Sequence, residues 1–147
     1  MTIRMDAAAL NAFLGTEFPQ VAASYRVEAA DEARLIARLV VDETHLRPGG
    51  TVSGPSMFAL ADLAIYCTIL SRIGPVALAV TTNASIDFMR KPAAGRDLLA
   101  ECRLLKLGRS LAVAEALIRS EGAQDAVARC SMTYSIPPKE QVSGVLE

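Results

Sequence analysis

The chain has 147 residues, a length that fits one domain and buries enough surface for a real core. Its formal net charge is −1, which excludes the basic footprint of a nucleic-acid binder. Hydrophobic residues reach 52% while aromatics are only 5%, so the surplus is Ala, Val and Leu, and such a surplus in a small chain predicts surface buried between subunits.

The opening MTIRMDAAAL lacks the apolar run of a signal peptide, which sets the expectation of a cytoplasmic protein. DAAALNAFLG (6–15) predicts a short helix with Asp6 as its cap. SYRVEA (24–29) and ARLIARLVVD (33–42) alternate with period two, so both predict strands. Leu35, Ala37, Leu39 and Val41 share one face and Arg34 and Arg38 the other, and ADE between the strands is a hairpin turn. HLRPGGTVSGP (45–55) is loop, rich in Gly and Pro.

The long segment SGPSMFALADLAIYCTIL (53–70) is apolar or small on every side of a helix, which runs to about Arg72 and is closed by IGP. It is read as shorter than a membrane span and it carries one carboxylate, Asp62, near its middle, so no membrane partner is expected. A buried charge is costly unless something pairs with it or uses it. Either Asp62 is a structural carboxylate paired with Arg47 or another arginine, or it does chemistry.

LAVTTNASIDFM (78–89) is a strand whose polar stripe is Thr81, Asn83, Ser85 and Asp87. LLAECRLLKLG (98–108), SLAVAEALIRS (110–120) and AVARCSMTYSI (126–136) follow, the last two joined by an EGAQD hairpin. These four strands are expected as a meander, and PPKEQVSGVLE as a loose polar tail. Strands segregated from a single long helix mean α+β with a mostly antiparallel sheet. A helix apolar all round must be wrapped, and one sheet covers only one face, so the second cover is expected from a second subunit.

Cys67, Cys102 and Cys130 form no CxxC pair, each lies in an apolar segment, and each reads as a small buried hydrophobe in a reducing compartment. His45 is the only histidine, which leaves no usual zinc site and no metal partner. No GxSxG turn supports a serine triad built on it.

The words GGTVSGPSMFALADLA, SIDFMRKPAAGRDLLAE and LGRSLAVAEALI, in this order, resemble the hotdog-fold acyl-CoA thioesterases. The resemblance is closest to the phenylacetyl-CoA and 4-hydroxybenzoyl-CoA thioesterase branch, and runs from roughly residue 25 to 136. It implies one hotdog domain with its core at about 22–136: an antiparallel sheet wrapped around one central helix. It implies acyl-CoA as substrate and coenzyme A only as part of it, with no further cofactor.

In that family an acid acts as base or nucleophile, and the N–H of a glycine eight residues earlier holds the thioester oxygen; those positions are Asp62 and Gly54 here. The strand hydroxyl that can hold the attacking water corresponds to Thr81, against the plainer reading of a strand threonine. Arg90, Lys91, Lys106 and Arg109 fill the places that meet the coenzyme A phosphates, unless they are a solvated basic rim. Phe58 and Tyr66 suggest an apolar or aromatic acyl tail. The sequence departs from the family pattern at Arg47 for Asn, Ser53 for His and Pro55 for the second Gly. Arg47 can still bind a carboxylate or phosphate, and Ser53 can cap the helix.

Eight residues of helix rise about 12 Å, so Gly54 and Asp62 of one chain cannot both touch one carbonyl carbon. Antiparallel helices from two chains can bring them together, which again predicts a homodimer or a dimer of dimers, a homotetramer. Three activities stay open: thioester hydrolysis, thioester or small-ligand binding without hydrolysis, and hydration or dehydration. The last usually needs a His paired with an acid, and His45 lies outside that pattern.

Overall fold

A computed structural model describes residues 2–138; the expected loose tail, apart from its two prolines, lies outside the described residues. The order is helix α1 (Ala7–Glu17), short helix α2 (Pro19–Ala22), strands β1 (Tyr25–Ala30) and β2 (Leu35–Leu39), a 3-10 turn (Glu43–His45) and helix α3 (Gly54–Ile73). Strands β3 (Val80–Phe88), β4 (Leu98–Leu107), β5 (Leu111–Ser120) and β6 (Ala126–Ser135) follow. All six strands join one antiparallel sheet in the order β1-β2-β4-β5-β6-β3. The fold is α+β, an antiparallel sheet around one long helix, as expected.

The four-strand meander is corrected. β4, β5 and β6 form one, but β3 pairs with β6 at the far edge while β4 pairs with β2. The reason lies in the connection from β3 to β4. Residues 89–97 contain Pro92 and run over nine positions, too many for a tight hairpin and enough to cross three strand spacings of about 4.8 Å each.

Helix α3 starts where its cap allows. Ser53 Oγ accepts from the Ser56 amide at 3.3 Å, and Pro55 follows in the first turn, where no N–H is needed. Gly74 ends it, donating its N–H to Leu70 O at 2.8 Å from a φ of +95° that favours glycine. At 20 residues α3 is long and apolar enough to cross a membrane by length and composition, which corrects the reading of it as too short. In the fold, twelve of its residues, from Met57 to Ser71, are buried, against the inner faces of β2, β4, β5 and β6.

The layer count also changes. The N-terminal segment supplies a cover that the sequence did not reveal. Leu10 and Leu14 of α1 are fully buried, each worth about 1.5–3 kcal/mol of transfer. The amides of Arg4 and Met5 both donate to Ser71 O, and Asn11 bonds both backbone groups of Val27 at 2.8–2.9 Å. The C-terminal half of α3 is therefore wrapped within one chain. Its N-terminal half is not: Pro55 and Ala59 are exposed, and Gly54, Phe58 and Asp62 are half-buried.

Candidate active site

Asp62 sits on the open half of α3 and faces the inner surface of the sheet. Its Oδ1 accepts hydrogen bonds from Thr81 Oγ1 at 2.7 Å and from the Tyr134 hydroxyl at 2.6 Å. Among the described residues no cation pairs with Asp62, and no donor bonds its Oδ2. So the charge in the apolar helix is met by two hydroxyls, and not by Arg47 or any other described arginine.

How Thr81 reaches the helix is a matter of register. By simple alternation it belongs with Asn83 and Ser85 on the outer stripe. A bulge between Thr81 and Asn83 breaks the phase: Thr81 pairs with Tyr134, Asn83 with Thr133, and Ala84 with Met132. Thr82 is the extra residue. Thr81 thereby joins the face of Tyr134, Met132 and Cys130, all buried. Burial, followed by the Asp62 charge, pushes the Tyr134 phenol above its usual range, so the phenol keeps its proton and donates it.

Asp62, Thr81 and Tyr134 line one end of a cleft of about 340 Å³. Its other walls are apolar or aromatic: Leu63 and Tyr66 from α3, Val80 from β3, and Phe18, Val21 and Tyr25 from the N-terminal segment. Tyr66 stacks edge-on against Phe18, with ring centroids 5.6 Å apart, and lies 6.0 Å from the Tyr134 ring. Of the expected site residues, the cleft gathers Asp62, Thr81 and Tyr66.

The others lie elsewhere. Gly54 is in the first turn of α3, with its Cα beside the Phe88 ring: a Cβ there would meet Cζ at 3.4 Å. Ser53 is the helix cap, and its hydroxyl also donates to Ser56 Oγ at 3.1 Å. Phe58 is half-buried outside the cleft lining. Arg47 is exposed in a turn closed by the Gly50 amide on its carbonyl. His45 is committed to that same loop, its Nδ1 accepting from the Asp42 amide at 2.9 Å.

The four cations do not converge within one chain. Arg90 and Lys91 follow Phe88, which pairs with Ala128, whereas Lys106 and Arg109 flank the β4–β5 turn, where Leu111 pairs with Ser135. Ala128 and Ser135 are seven residues of strand apart, about 23 Å. Arg90 donates to the Ala126 carbonyl, while Lys91, Lys106 and Arg109 are exposed.

Residues 49–127 match the family model of the thioesterase superfamily. This chain belongs to the thioesterase superfamily. It is 32% identical over 107 residues to a candidate esterase of Pseudomonas aeruginosa, covering 72% of this chain and 78% of that one. It is 56% identical to a candidate thioesterase of Silicibacter sp. TM1040, with a TM-score of 0.88 over 94% of this chain and 96% of that one. The phenylacetic acid degradation protein PaaI of Thermus thermophilus, solved as a mutant, is 27% identical with a TM-score of 0.69, over 81% of this chain and 99% of that one. The fold is the hotdog fold of these thioesterases.

Three cleft-lining aromatics, Phe18, Tyr25 and Tyr134, lie outside the matched thioesterase segment, and sequence reasoning did not single them out. Tyr134 carried a signal. Ala128, Cys130, Met132 and Tyr134 form the buried stripe of β6, and a phenol on such a stripe needs a polar partner inside. Phe18 carried a weaker one, as the residue before Pro19 at a helix break. The cysteines are buried, as expected, and burial pushes the thiols of Cys67 and Cys102 up to about 12 and that of Cys130 up to about 11. They are poor nucleophiles at neutral pH.

Proposed function

We propose that the protein hydrolyses an acyl-CoA or related acyl thioester to the free acid and coenzyme A, with Asp62 as general base or nucleophile. The observation that carries this is a carboxylate held through one oxygen by two hydroxyls, at the wall of an apolar cleft, its second oxygen without a donor among the described residues. As base, Asp62 takes a proton from water as the water attacks the thioester carbonyl. As nucleophile, it attacks directly, and water then splits the resulting anhydride. Either way the C–S bond breaks and the thiol leaves with a proton. Thr81 and Tyr134 fix the carboxylate rotamer, and Thr81 Oγ1, whose proton goes to Asp62, can accept a hydrogen bond from the water.

The oxyanion needs a donor, and Gly54 of the same chain is too far up the helix. A second copy solves this. Strand β3 is a nine-residue edge strand, with Val80 56% and Phe88 52% exposed. Antiparallel pairing of β3 with β3 of another copy sets the Phe88 end of one chain beside the Val80 end of the other. Gly54 lies at the Phe88 end and Asp62 at the Thr81 end. The same pairing carries Arg90 and Lys91 of one chain toward Lys106 and Arg109 of the other, where they can meet the phosphates of coenzyme A. The proposed site therefore lies at a homodimer interface, within a dimer or a dimer of dimers, with no metal and no cofactor beyond the coenzyme A of the substrate.

The test is release of free thiol from a panel of acyl-CoAs. Turnover that is lost in Asp62→Asn and kept in Cys67→Ala, Cys102→Ala and Cys130→Ala is the expected result. Turnover that survives Asp62→Asn would overturn it. The second reading, ligand binding without hydrolysis, is favoured by one observation: Ser53 is spent on the helix cap and Arg47 on an exposed turn, where the family pattern has His and Asn. Binding of acyl-CoA with no thiol release would select it.

A further inference from the structure

We propose that Phe18, at the break between α1 and α2, sets the length of the acyl group this cleft accepts, and that the acyl group is neutral and apolar. The inference rests on the thioester reading above and names the substrate class for the same cleft.

The cleft has a direction. Tyr66 lies one helical turn beyond Asp62, about 6 Å along the axis. Its ring is the shared member of two aromatic pairs, with Tyr134 at 6.0 Å and with Phe18 at 5.6 Å. A chain that starts at the Asp62 carboxylate and follows α3 therefore passes Tyr66 and meets Phe18.

Both rings are fixed. The Tyr66 hydroxyl donates to Ala77 O at 3.1 Å, so the ring cannot swing aside without losing that bond. Phe18 sits between two helices with φ −131° and ψ 56°, and its backbone is tied on both sides. Its amide donates to Leu14 O at 2.8 Å, and its carbonyl accepts from the Val21 and Ala22 amides at 3.0 and 3.1 Å. Pro19 then holds the turn. An edge-to-face aromatic pair with both backbones anchored is a stop, not a flap.

The walls also select charge. Among the described residues Asp62 is the one charged side chain that lines the cleft, and no Lys or Arg lines it. A carboxylate at the far end of an acyl group would lie unpaired in apolar surroundings, which is costly. Phe18, Val21 and Tyr25 come from the N-terminal segment, outside the stretch matched by the family model.

The experiment measures kcat/KM over straight-chain acyl-CoAs from acetyl to palmitoyl, with a dicarboxylic acyl-CoA of intermediate length. One methylene beyond a pocket's limit costs about 10–200-fold, so the wild type should show a sharp fall at one chain length and reject the dicarboxylic substrate. Phe18→Ala should move that fall to longer chains, mainly through KM, and raise the long-to-short ratio at least about tenfold. Val21→Phe, which fills the same wall, should move it to shorter chains and decides the matter if Phe18→Ala does not fold. Phe13→Ala loosens α1 without touching the cleft and should leave the profile in place.

If Phe18→Ala and Val21→Phe fold and keep the wild-type profile, or if Phe13→Ala shifts it as much as Phe18→Ala does, Phe18 is not the stop. If the wild type releases thiol from no substrate, the hydrolase reading itself fails, and this inference with it.

Discussion

At Asp62 the two hydroxyls have unequal weight. Tyr134 is buried, while Thr81 sits at the half-open edge. Tyr134→Phe should lower kcat by about tenfold, since a hydrogen bond to a charged group is worth about 1.5–3 kcal/mol and Thr81 still holds the same oxygen. Asp62→Asn should lower kcat by about 10²–10⁴, the usual contribution of a positioned base. Because the Tyr134 proton is held well above its ordinary range, the donor stays protonated through about pH 10. The pH–rate profile should therefore show no falling limb from Tyr134 below that pH. A limb near about pH 8–9 that vanishes in Tyr134→Phe would contradict this assignment. The acid was legible in the sequence because a carboxylate in an all-apolar helix demands an explanation. Its phenol partner was not, because Tyr134 is 72 positions away and only the fold unites them.

Strand β3 carries the main difference between pattern and structure at the scale of elements. Alternation indicated its length and faces, but one extra residue, Thr82, reverses the phase at the end that matters. A single bulge leaves no compositional mark, so the period-two pattern put Thr81 on the wrong stripe. Deleting Thr82 should remove the bulge and leave Thr81 opposite Tyr134 by plain alternation, so turnover and circular dichroism should stay close to those of the wild type. Thr81→Val, which removes the hydroxyl on Asp62, should instead lower turnover. Helix α3 was more legible, since its cap, its Gly stop and its apolar run each have a local cause. Its packing has a pH consequence. Cys67 on α3 and Cys102 on β4 titrate near 9 when unfolded but near 12 in the fold. Above about pH 9 the unfolded chain loses protons that the folded chain keeps, so stability falls as pH rises, by about 1.4 kcal/mol per unit for each thiol. The melting temperature should drop between about pH 8 and pH 11, and Cys67→Ala with Cys102→Ala should flatten that slope.

The whole molecule combines a half-wrapped helix with an uncovered edge strand. The sequence predicted a second subunit by counting layers, and the count missed the N-terminal segment, which covers half of α3. No periodicity announces that cover, because α1 is short and apolar all round. What stays open is the other half, together with β3 and its exposed Val80 and Phe88. Phe88→Glu with Met89→Glu should therefore give monomers by sedimentation and lose activity with the interface. The most direct measurement mixes two inactive variants, Asp62→Asn and Gly54→Pro, unfolded together or exchanged as subunits. If Gly54 of one chain serves Asp62 of the other, each mixed dimer holds one site with both residues intact, and an equal mixture should recover about a quarter of wild-type turnover under random pairing of a two-fold dimer. Mixed dimers that form yet stay inactive would mean that the two residues do not share a site across the interface.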